Sequence, residues 1–428
     1  PQVTPRKLDG SKVSATSRPP IGYVTSHYPF ISHTFVQREV LALRDAGFTV
    51  ETISIIQPGP EHILSPQDRA EAARTINVRP VGPGKLWRHL VRPAFANLGA
   101  VFAILWIGAR GWWGDPKPLL WRCFYVIESV MLWSLARERG IEHLHAHHAN
   151  SASNMAWLAS EFGRRVGDGP RQWSFTLHGS SEFVDVERID LGQKGEAALA
   201  VACISDFTRS QLMMVSDPAV WDRFEVVHCG VDTGTYTPDP ARRPPALDER
   251  FQVLFLGRLG SEKGLPILME AVAQLSERVA PRPVRLIVVG DGDQRATLEA
   301  QAAELGVDAV FTGSLGQHEV MPWYHEADAF CLTSFREGIP VVLMEAMACE
   351  VPCVAPRITA LPELIDDGTT GLLATAGRPD HFADALERLA TDPDLARTLG
   401  KAGREKVLAE FTIERTTSQM IDFFDRVL

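Results

Sequence analysis

The sequence contains few cysteines, and they do not form a metal-binding pattern. The six thiols are Cys123, Cys203, Cys229, Cys331, Cys349 and Cys353. They lie mostly in apolar segments, without Cys-x-x-Cys pairs and without a recognisable secretory signal. This distribution is typical of buried thiols in a reducing compartment. We therefore expect a cytoplasmic protein in which no metal is held by cysteine.

The sequence also lacks a basic excess and a long apolar run. The net charge is −10, which argues against general nucleic-acid binding because a protein that neutralises many phosphates is expected to be basic. The longest apolar run, 98–109, is shorter than the roughly 20 residues that a membrane-spanning helix needs. These absences leave a folded protein that does not bind nucleic acid.

The length of the chain predicts more than one domain. A chain of 428 residues with 45% apolar and 22% charged residues has an ordinary folded composition but exceeds what one hydrophobic core usually supports. Strand and helix patterns alternate from Ile21 onwards, which predicts α/β architecture with parallel sheets. The segment 1–20 is polar and lacks an apolar period, so we expect a flexible tail there.

Two acids stand out in the stretch that follows an apolar strand at 328–333. Glu337 lies where the strand pattern ends, and Glu345 lies among apolar helix formers in EGIPVVLMEAMA. At the carboxyl end of a parallel strand, two carboxylates could bind the hydroxyls of a sugar. Alternatively, Glu337 caps the helix and Glu345 is a surface acid.

This stretch resembles the family 4 glycosyltransferases, also called group 1, which are retaining enzymes that use nucleotide sugars. The resemblance rests on the Glu-x₇-Glu pair together with the following VPCVA, PELI and DGTTGLL strings. It implies the GT-B fold, in which two Rossmann-like parallel-sheet domains face a cleft and a C-terminal helix crosses back to the N-terminal domain. The implied division is an acceptor domain at 21–237, a nucleotide-sugar domain at 250–408 and a returning helix at 409–428.

The same resemblance implies a donor site in the second domain. Arg258 and Lys263, in GRLGSEKG, would hold the donor diphosphate, Glu337 the transferred sugar and Glu345 the ribose. The other implied donor contacts are Gly257, Gly290, Leu315, Gly338, Ile339, Val341 and Val342.

The first domain supplies histidines and a loop on the other side of the cleft. The loop at 26–33 resembles that of exopolysaccharide enzymes of the colanic acid type, and Ser32, His33 and His147 are the candidate acceptor or cleft residues. The resemblance places His178 beside the donor sugar, as a catalytic residue together with Glu337, Arg258 and Lys263. Alternation puts His143, His145 and His147 on one face of a strand; such a cluster could bind zinc, but the family needs none.

Region 85–139 interleaves tryptophan with arginine and lysine. Trp87, Trp106, Trp112, Trp113, Trp121 and Trp133 all lie here. This composition fits helices in a membrane interface, and equally helices packed on the sheet with tryptophan as core residues.

The resulting functional expectation is a metal-independent hexosyltransferase that retains the donor's anomeric configuration. It has no cofactor, and its donor is a UDP-sugar in preference to a GDP-sugar, on family frequency. The acceptor is a glycan or polyprenyl-linked lipid in cell-surface or exopolysaccharide synthesis, handled in the cytoplasm or peripherally on the inner face of the plasma membrane. The alternatives are a nucleotide-sugar epimerase and a non-catalytic sugar-nucleotide-binding protein.

Overall fold

The computed structural model of the chain describes residues 18–30, 34–63, 65–109, 116–187, 189–241, 249–316 and 319–428. Within these ranges, thirteen strands form two sheets in which all neighbours are parallel. The expected α/β architecture with two parallel-sheet domains is confirmed.

The first sheet has the order β3-β2-β1-β4-β5-β6-β7. Its strands are β1 (Ile21–Thr25), β2 (Val50–Ser54), β3 (Ile76–Asn77), β4 (His143–His147), β5 (Gln172–Leu177), β6 (Val201–Cys203) and β7 (Phe224–Val226). Every residue of β1 and β4 is buried, as expected for strands covered on both faces. From β1 the strand order runs towards one edge of the sheet through β2 to β3, and from β4 it runs towards the other edge. A crevice therefore opens where β1 and β4 end.

The second sheet repeats this arrangement with the order β10-β9-β8-β11-β12-β13. Its strands are β8 (Phe251–Leu256), β9 (Val284–Val289), β10 (Ala309–Gly313), β11 (Ala329–Cys331), β12 (Cys353–Pro356) and β13 (Leu372–Ala374). The switch in strand order lies between β8 and β11. The loops that follow these two strands are therefore neighbours.

Helices cover both faces of each sheet. The first half contains α1 (Thr34–Asp45), α2 (Pro66–Arg74), α3 (Pro83–Leu86), α4 (Arg92–Ala96), α5 (Leu98–Ala109), α6 (Pro116–Glu138), α7 (Ser151–Val166), α8 (Leu191–Ala197) and α9 (Asp206–Met214). The second half contains α10 (Leu265–Arg278), α11 (Arg295–Glu304), α12 (Met321–Glu326), α13 (Val341–Ala348), α14 (Leu361–Leu364), α15 (Pro379–Thr391), α16 (Pro393–Glu410) and α17 (Ile413–Val427).

The last helix packs on the first domain, as expected. Phe423 and Phe424 of α17 are fully buried and share a core cluster with Tyr23 of β1 and Val40 of α1. Ring contacts join Phe424 to Tyr23 at 6.0 Å between centroids. The helix is strongly amphipathic, and its apolar face supplies the docking surface.

A second connection joins the two domains at the start of α9. The Glu363 carboxylate accepts hydrogen bonds from the backbone N–H groups of Asp206 at 2.9 Å and Phe207 at 2.8 Å. The first N–H groups of a helix have no partner inside the helix. A side chain from the second domain therefore satisfies the amino end of a helix in the first domain.

The tryptophans of region 85–139 divide between the core and the surface. Trp133 is buried against Phe162, whereas Trp87 and Trp106 are exposed; Trp112 and Trp113 lie outside the described residues. Among the described residues, no single helix is both long and apolar enough to cross a membrane. Pro83–Ala96 and Leu98–Gly108 meet the length and composition criteria only as a pair, with a bend of 96° between them.

Candidate donor and cleft site

The loops after β8 and β11 bring Lys263 and Glu337 together. Lys263 Nζ donates to Glu337 Oε1 at 2.8 Å, and Ser334 Oγ donates to the same oxygen at 2.6 Å. Gly264 permits this approach because its φ is +61° and an added Cβ would lie 2.3 Å from the Thr333 carbonyl oxygen. Both charges therefore lie on neighbouring loops at the carboxyl edge of the second sheet.

Glu337 does not cap the following helix. Helix α13 begins at Val341, with Pro340 in the preceding capping position. Glu337 is only 8% exposed. The alternative reading of Glu337 as a helix cap is therefore wrong, and a buried carboxylate held by a lysine and a hydroxyl remains beside the cleft.

Glu345 is also buried, so the reading of a surface acid is wrong. Its Oε1 accepts from Arg38 Nη2 at 3.1 Å, and its Oε2 accepts from the Tyr324 hydroxyl at 3.0 Å. Burial raises the pKa of Glu345 despite the opposing effects of Arg38 and Tyr324. Burial would lower the pKa of Arg38, but Glu345 and Tyr236 outweigh it and raise that pKa.

Arg38 makes this network an interdomain contact. The residue lies on α1 of the first domain, whereas Glu345 lies on α13 of the second. Its guanidinium is 5.6 Å from the centre of the Tyr236 ring. Sequence analysis assigned roles to neither Arg38 nor Tyr324, since no local pattern relates residues so far apart in the chain.

His178 belongs to a row of polar side chains that extends into the first domain. His178 Nε2 and His147 Nδ1 are 2.9 Å apart, and the two rings are stacked. His147 Nε2 lies 3.3 Å from Glu39 Oε1, which also accepts from the Tyr23 hydroxyl at 2.7 Å. The row therefore connects the candidate catalytic histidine to a carboxylate on α1.

The other two histidines of β4 serve as buried hydrogen-bonding groups. His143 Nε2 lies 2.7 Å from Ser174 Oγ, and the ring nitrogens of His145 lie 2.8 and 2.9 Å from Ser174 Oγ and Thr176 Oγ1. Burial lowers the pKa of His143 to about 3. Burial, followed by the neighbouring His147 and His143, lowers the pKa of His145 well below its usual value. Both rings are neutral at pH 7.

Glu39, His145 and His147 are also close enough to share a metal ion, since their ligand atoms lie within 4.8 Å of one another. Carboxylate and neutral imidazole are suitable zinc ligands. However, the His145 nitrogens already lie within hydrogen-bonding distance of two hydroxyls. An ion would have to replace those contacts.

The two halves of the site meet at Gly338. A Cβ added to Gly338 would lie 2.3 Å from the His178 carbonyl oxygen and 2.9 Å from Ile204 Cδ1. Only glycine allows the backbone after Glu337 to lie this close to the strand end that carries His178. The backbone contact brings the His178 segment and the segment after Glu337 together across the cleft.

Glu182 holds the His178 segment in place, and its role was not predicted. Its carboxylate accepts from the N–H groups of His178 at 2.8 Å and Gly179 at 2.9 Å, and also from the N–H of Ala149. Burial raises the pKa of Glu182, against the effect of these hydrogen bonds and of Lys194. In the sequence, the signal for this role is a glutamate four residues after His178, in HGSSE.

The remaining predicted contacts lie at the same edge of the second sheet. Arg258 is exposed, with 72% of its side chain accessible, and pairs with Glu262 at 2.6 Å. Gly257 and Gly290 directly follow β8 and β9 and lie against each other, and Leu315 follows β10 half-buried. Ile339 is buried, whereas Val341 and Val342 are half-buried at the start of α13. Ser32 and His33 lie outside the described residues.

Comparisons with known proteins agree with this geometry. Residues 239–406 match the family described as "Glycosyl transferases group 1". The chain is 32% identical over 280 residues to the GDP-mannose-dependent alpha-(1-6)-phosphatidylinositol monomannoside mannosyltransferase of Mycobacterium tuberculosis, covering 62% of this chain and 68% of the relative. It is 36% identical over 196 residues to the D-inositol 3-phosphate glycosyltransferase of Kribbella flavida, covering 43% of this chain and 46% of the relative.

A solved structure supports the fold. Sucrose-phosphate synthase from Thermosynechococcus elongatus superimposes with a TM-score of 0.69 at 23% identity, covering 96% of this chain and 99% of that chain. At this identity the likeness concerns the fold alone. The expected GT-B fold is thereby confirmed.

The comparisons correct the expected partners. The preference for a UDP-sugar is wrong, because the mycobacterial relatives are named for GDP-mannose. The expected glycan or polyprenyl-linked acceptor is wrong as well, because the relatives are named for phosphatidylinositol monomannoside or inositol 3-phosphate. The error came from family frequency, which carries no information about this pocket. The narrower likeness to colanic acid and exopolysaccharide enzymes is not repeated among these relatives.

The family resemblance that rests on the two glutamates is therefore confirmed. The chain covers 68% of a mannosyltransferase at 32% identity, and its two-domain fold places the acids at the interdomain cleft. The chain is a glycosyltransferase and belongs to the group 1 glycosyltransferases.

Proposed function

We propose that this enzyme transfers mannose from GDP-mannose to an acceptor that contains an inositol phosphate, with retention of the anomeric configuration. The observation that carries the proposal is the pairing of buried Glu337 with Lys263 at the cleft, directly beside the His178 segment. The names of the mycobacterial relatives support the donor and the acceptor. The comparisons offer no support for an epimerase or a non-catalytic binding protein.

In the proposed donor site, cations stabilise the negative charge that develops on the diphosphate during transfer. When the bond between the sugar C1 and the diphosphate breaks, negative charge grows on the departing oxygen, and fixed cations stabilise it. Lys263 is in place, and Arg258 would exchange Glu262 for a phosphate, since its side chain is otherwise exposed. The N–H groups at the start of α13 add donors, although Pro340 contributes none.

Each acid of the proposed site has a separate part. Glu337 accepts from hydroxyls of the sugar, because an ionised carboxylate can only accept. Glu345 accepts from the ribose, which requires it to share or exchange the hydrogen bond from Arg38. The acceptor oxygen attacks C1 from the side that the diphosphate leaves, and its proton passes to the diphosphate. His178 contacts the sugar, and no metal ion takes part.

A role in building cell-surface or exopolysaccharide glycans stays a prediction, as does a cytoplasmic or inner-face location. Both are consistent with a nucleotide-sugar donor, but neither follows from the geometry of the site.

The test is transfer by the purified chain, with GDP-mannose and UDP-glucose compared on a phosphatidylinositol mannoside acceptor in detergent micelles. We expect product from GDP-mannose, with unchanged activity in EDTA and an α-linkage by NMR. Glu337→Gln should lower turnover by at least about 100-fold, since preorganised polar groups contribute on this scale, while leaving GDP affinity similar to wild type. Glu405→Gln, at an exposed position on α16, is the matched control.

Two results would overturn the proposal. Transfer from UDP-glucose but not from GDP-mannose would remove the donor assignment. Full turnover by Glu337→Gln with intact GDP binding would remove the role of that carboxylate.

A further inference from the structure

Helix α5 is apolar on the face that has no partner within the described chain. Its sequence, LGAVFAILWIGA, contains no charged residue. Ala100 and Ile104 are buried in the core of the first domain, whereas Phe102 and Trp106 on the other face are both 68% exposed. A helix on a protein surface normally carries polar residues on its solvent face.

The exposed face is a stripe and not a set of scattered residues. Leu98, Phe102 and Trp106 recur every four positions, so they lie on one face of α5. Phe95 of α4 is 73% exposed, and Trp87, in the π-helical turn before α4, is 63% exposed. We call these five side chains, Trp87, Phe95, Leu98, Phe102 and Trp106, the apolar patch. Large exposed apolar areas of this kind mark interaction sites.

The sequence segment that carries the apolar patch is basic, whereas the whole protein is acidic. Residues 79–127 contain seven basic side chains and one acidic side chain, Asp115, within a chain of net charge −10. Two of the seven are paired with acids that follow this range, Arg79 with Glu128 and Arg88 with Glu138. Arg92 is exposed at the start of α4, between Trp87 and Phe95. Aromatic side chains combined with lysine and arginine suit the interface of an anionic membrane. A second copy of the chain would bring like charges together, which disfavours self-association through this face.

We infer that the apolar patch docks this enzyme on the surface of an anionic lipid bilayer, with α4 and α5 in the interface and Arg92 against the headgroups. The bent pair of helices lies on the bilayer and does not cross it, since neither member alone is long enough. The inference does not depend on the identity of the donor. It adds to the proposed function an explanation of how the enzyme brings a water-soluble nucleotide sugar to an acceptor in the membrane.

The first experiment is flotation of the full chain with vesicles of phosphatidylcholine alone or with about one third phosphatidylglycerol, a fraction that gives a negative surface potential. We expect binding to the anionic vesicles at low salt, weakened in about 0.5 M salt because screening shortens the electrostatic range. The double substitution Phe102→Ser/Trp106→Ser should lower the partition coefficient at least about ten-fold. Arg92→Glu should lower it by about ten-fold, through charge alone.

The matched control is Met214→Ser. Met214 is 72% exposed at the end of α9, outside the apolar patch, so its replacement removes a similar exposed side chain and should leave flotation unchanged. Thermal unfolding and GDP binding of every variant test that the fold and donor site are intact. Neither Phe102 nor Trp106 lies in the proposed catalytic machinery.

A second measurement locates the contact. Brominated lipid quenches tryptophan that enters the interface, so quenching should decrease in Trp106→Phe while vesicle binding is retained. A decrease in quenching in Trp106→Phe, with the remainder from Trp87, together with retained flotation supports insertion of α5, whereas unchanged quenching contradicts it.

Three outcomes overturn the inference. They are absence of wild-type flotation with anionic vesicles at low salt, equal flotation of the double variant and wild type, and a concentration-dependent dimer that the double variant abolishes without any vesicle binding. If GDP-mannose transfer fails but patch-dependent flotation persists, the proposed function falls while this inference stands.

Discussion

Removal of the Arg38 guanidinium should destabilise the protein in a pH-dependent way. In Arg38→Met the aliphatic stem is kept, but the buried Glu345 carboxylate loses its cation. The two side chains are 14% and 7% exposed, and the atoms lie 3.1 Å apart. With an effective dielectric constant of about 20, the attraction at this distance is roughly 5 kcal/mol.

The net effect is smaller than this attraction, because both groups also lost hydration on folding. Removal of one partner of a buried pair typically costs about 3–5 kcal/mol. The hydrogen bond from Tyr324 remains, so we expect the lower end, about 3 kcal/mol, at pH 8.

The sign of the pH dependence follows from the raised pKa of Glu345. A carboxyl group whose pKa is higher in the folded state than in the unfolded state makes folding less favourable as pH rises between the two values. Without Arg38 that pKa rises further, so the difference between variant and wild type should increase from pH 5 to pH 8. Towards acidic pH both folded forms take up a proton at Glu345, so the difference should be smallest at the lowest pH measured.

The assay is urea unfolding followed by tryptophan fluorescence at several pH values. Arg397→Met, which removes an exposed pair with Asp394, is the control and should leave the midpoint unchanged at every pH. The double variant Arg38→Met/Glu345→Gln carries no buried charge at this place, so it should lose the part of the pH dependence that Arg38→Met adds through Glu345. A midpoint for Arg38→Met that matches the control, or a loss of stability that is the same at pH 5 and pH 8, would refute the argument.

Two further predictions concern the first domain. In the wild type, burial lowers the pKa of His143 to about 3. As pH drops below about 6.5, the unfolded state therefore takes up a proton at this residue before the folded state does, and the free energy of unfolding falls. In His143→Leu this fall, measured by urea unfolding between pH 7 and pH 4, should be less steep. Glu182→Gln places an amide NH₂ among the backbone donors that the carboxylate now accepts from, and should cost about 1–3 kcal/mol of stability and lower kcat with little change in the affinity for GDP. An acid-unfolding profile of His143→Leu identical to wild type, or full activity and stability of Glu182→Gln, would contradict the respective arrangement.

The alternation of strands and helices and the general position of the acids could be predicted from sequence, because buried parallel strands appear as short apolar runs and their loops carry the polar residues. Ile21–Thr25 and the loops around Lys263 and Glu337 are examples. The partners of Glu345 could not be predicted in this way. Arg38 is 307 residues away in the chain, and only the packing of α1 against the second domain brings the two side chains together.

The histidines show a similar division between pattern and context. Alternation placed His143, His145 and His147 on one face correctly. It could not distinguish a metal site from hydrogen bonds to Ser174 and Thr176, which depend on the register between β4 and β5. Donor preference was the least accessible property, since the notion of a UDP-sugar rested on frequency and on no residue of this chain.

The hydrogen bonds of the Glu363 carboxylate make two backbone amides sensitive to separation of the two domains. As long as the carboxylate binds the amides of Asp206 and Phe207, those two protons are protected from solvent by a residue on the opposite lobe. A motion that separates the two domains would break both hydrogen bonds. The two amide protons could then exchange with solvent without unfolding of α9. The deuterium uptake of these two sites therefore measures how often the cleft opens to admit or release a nucleotide.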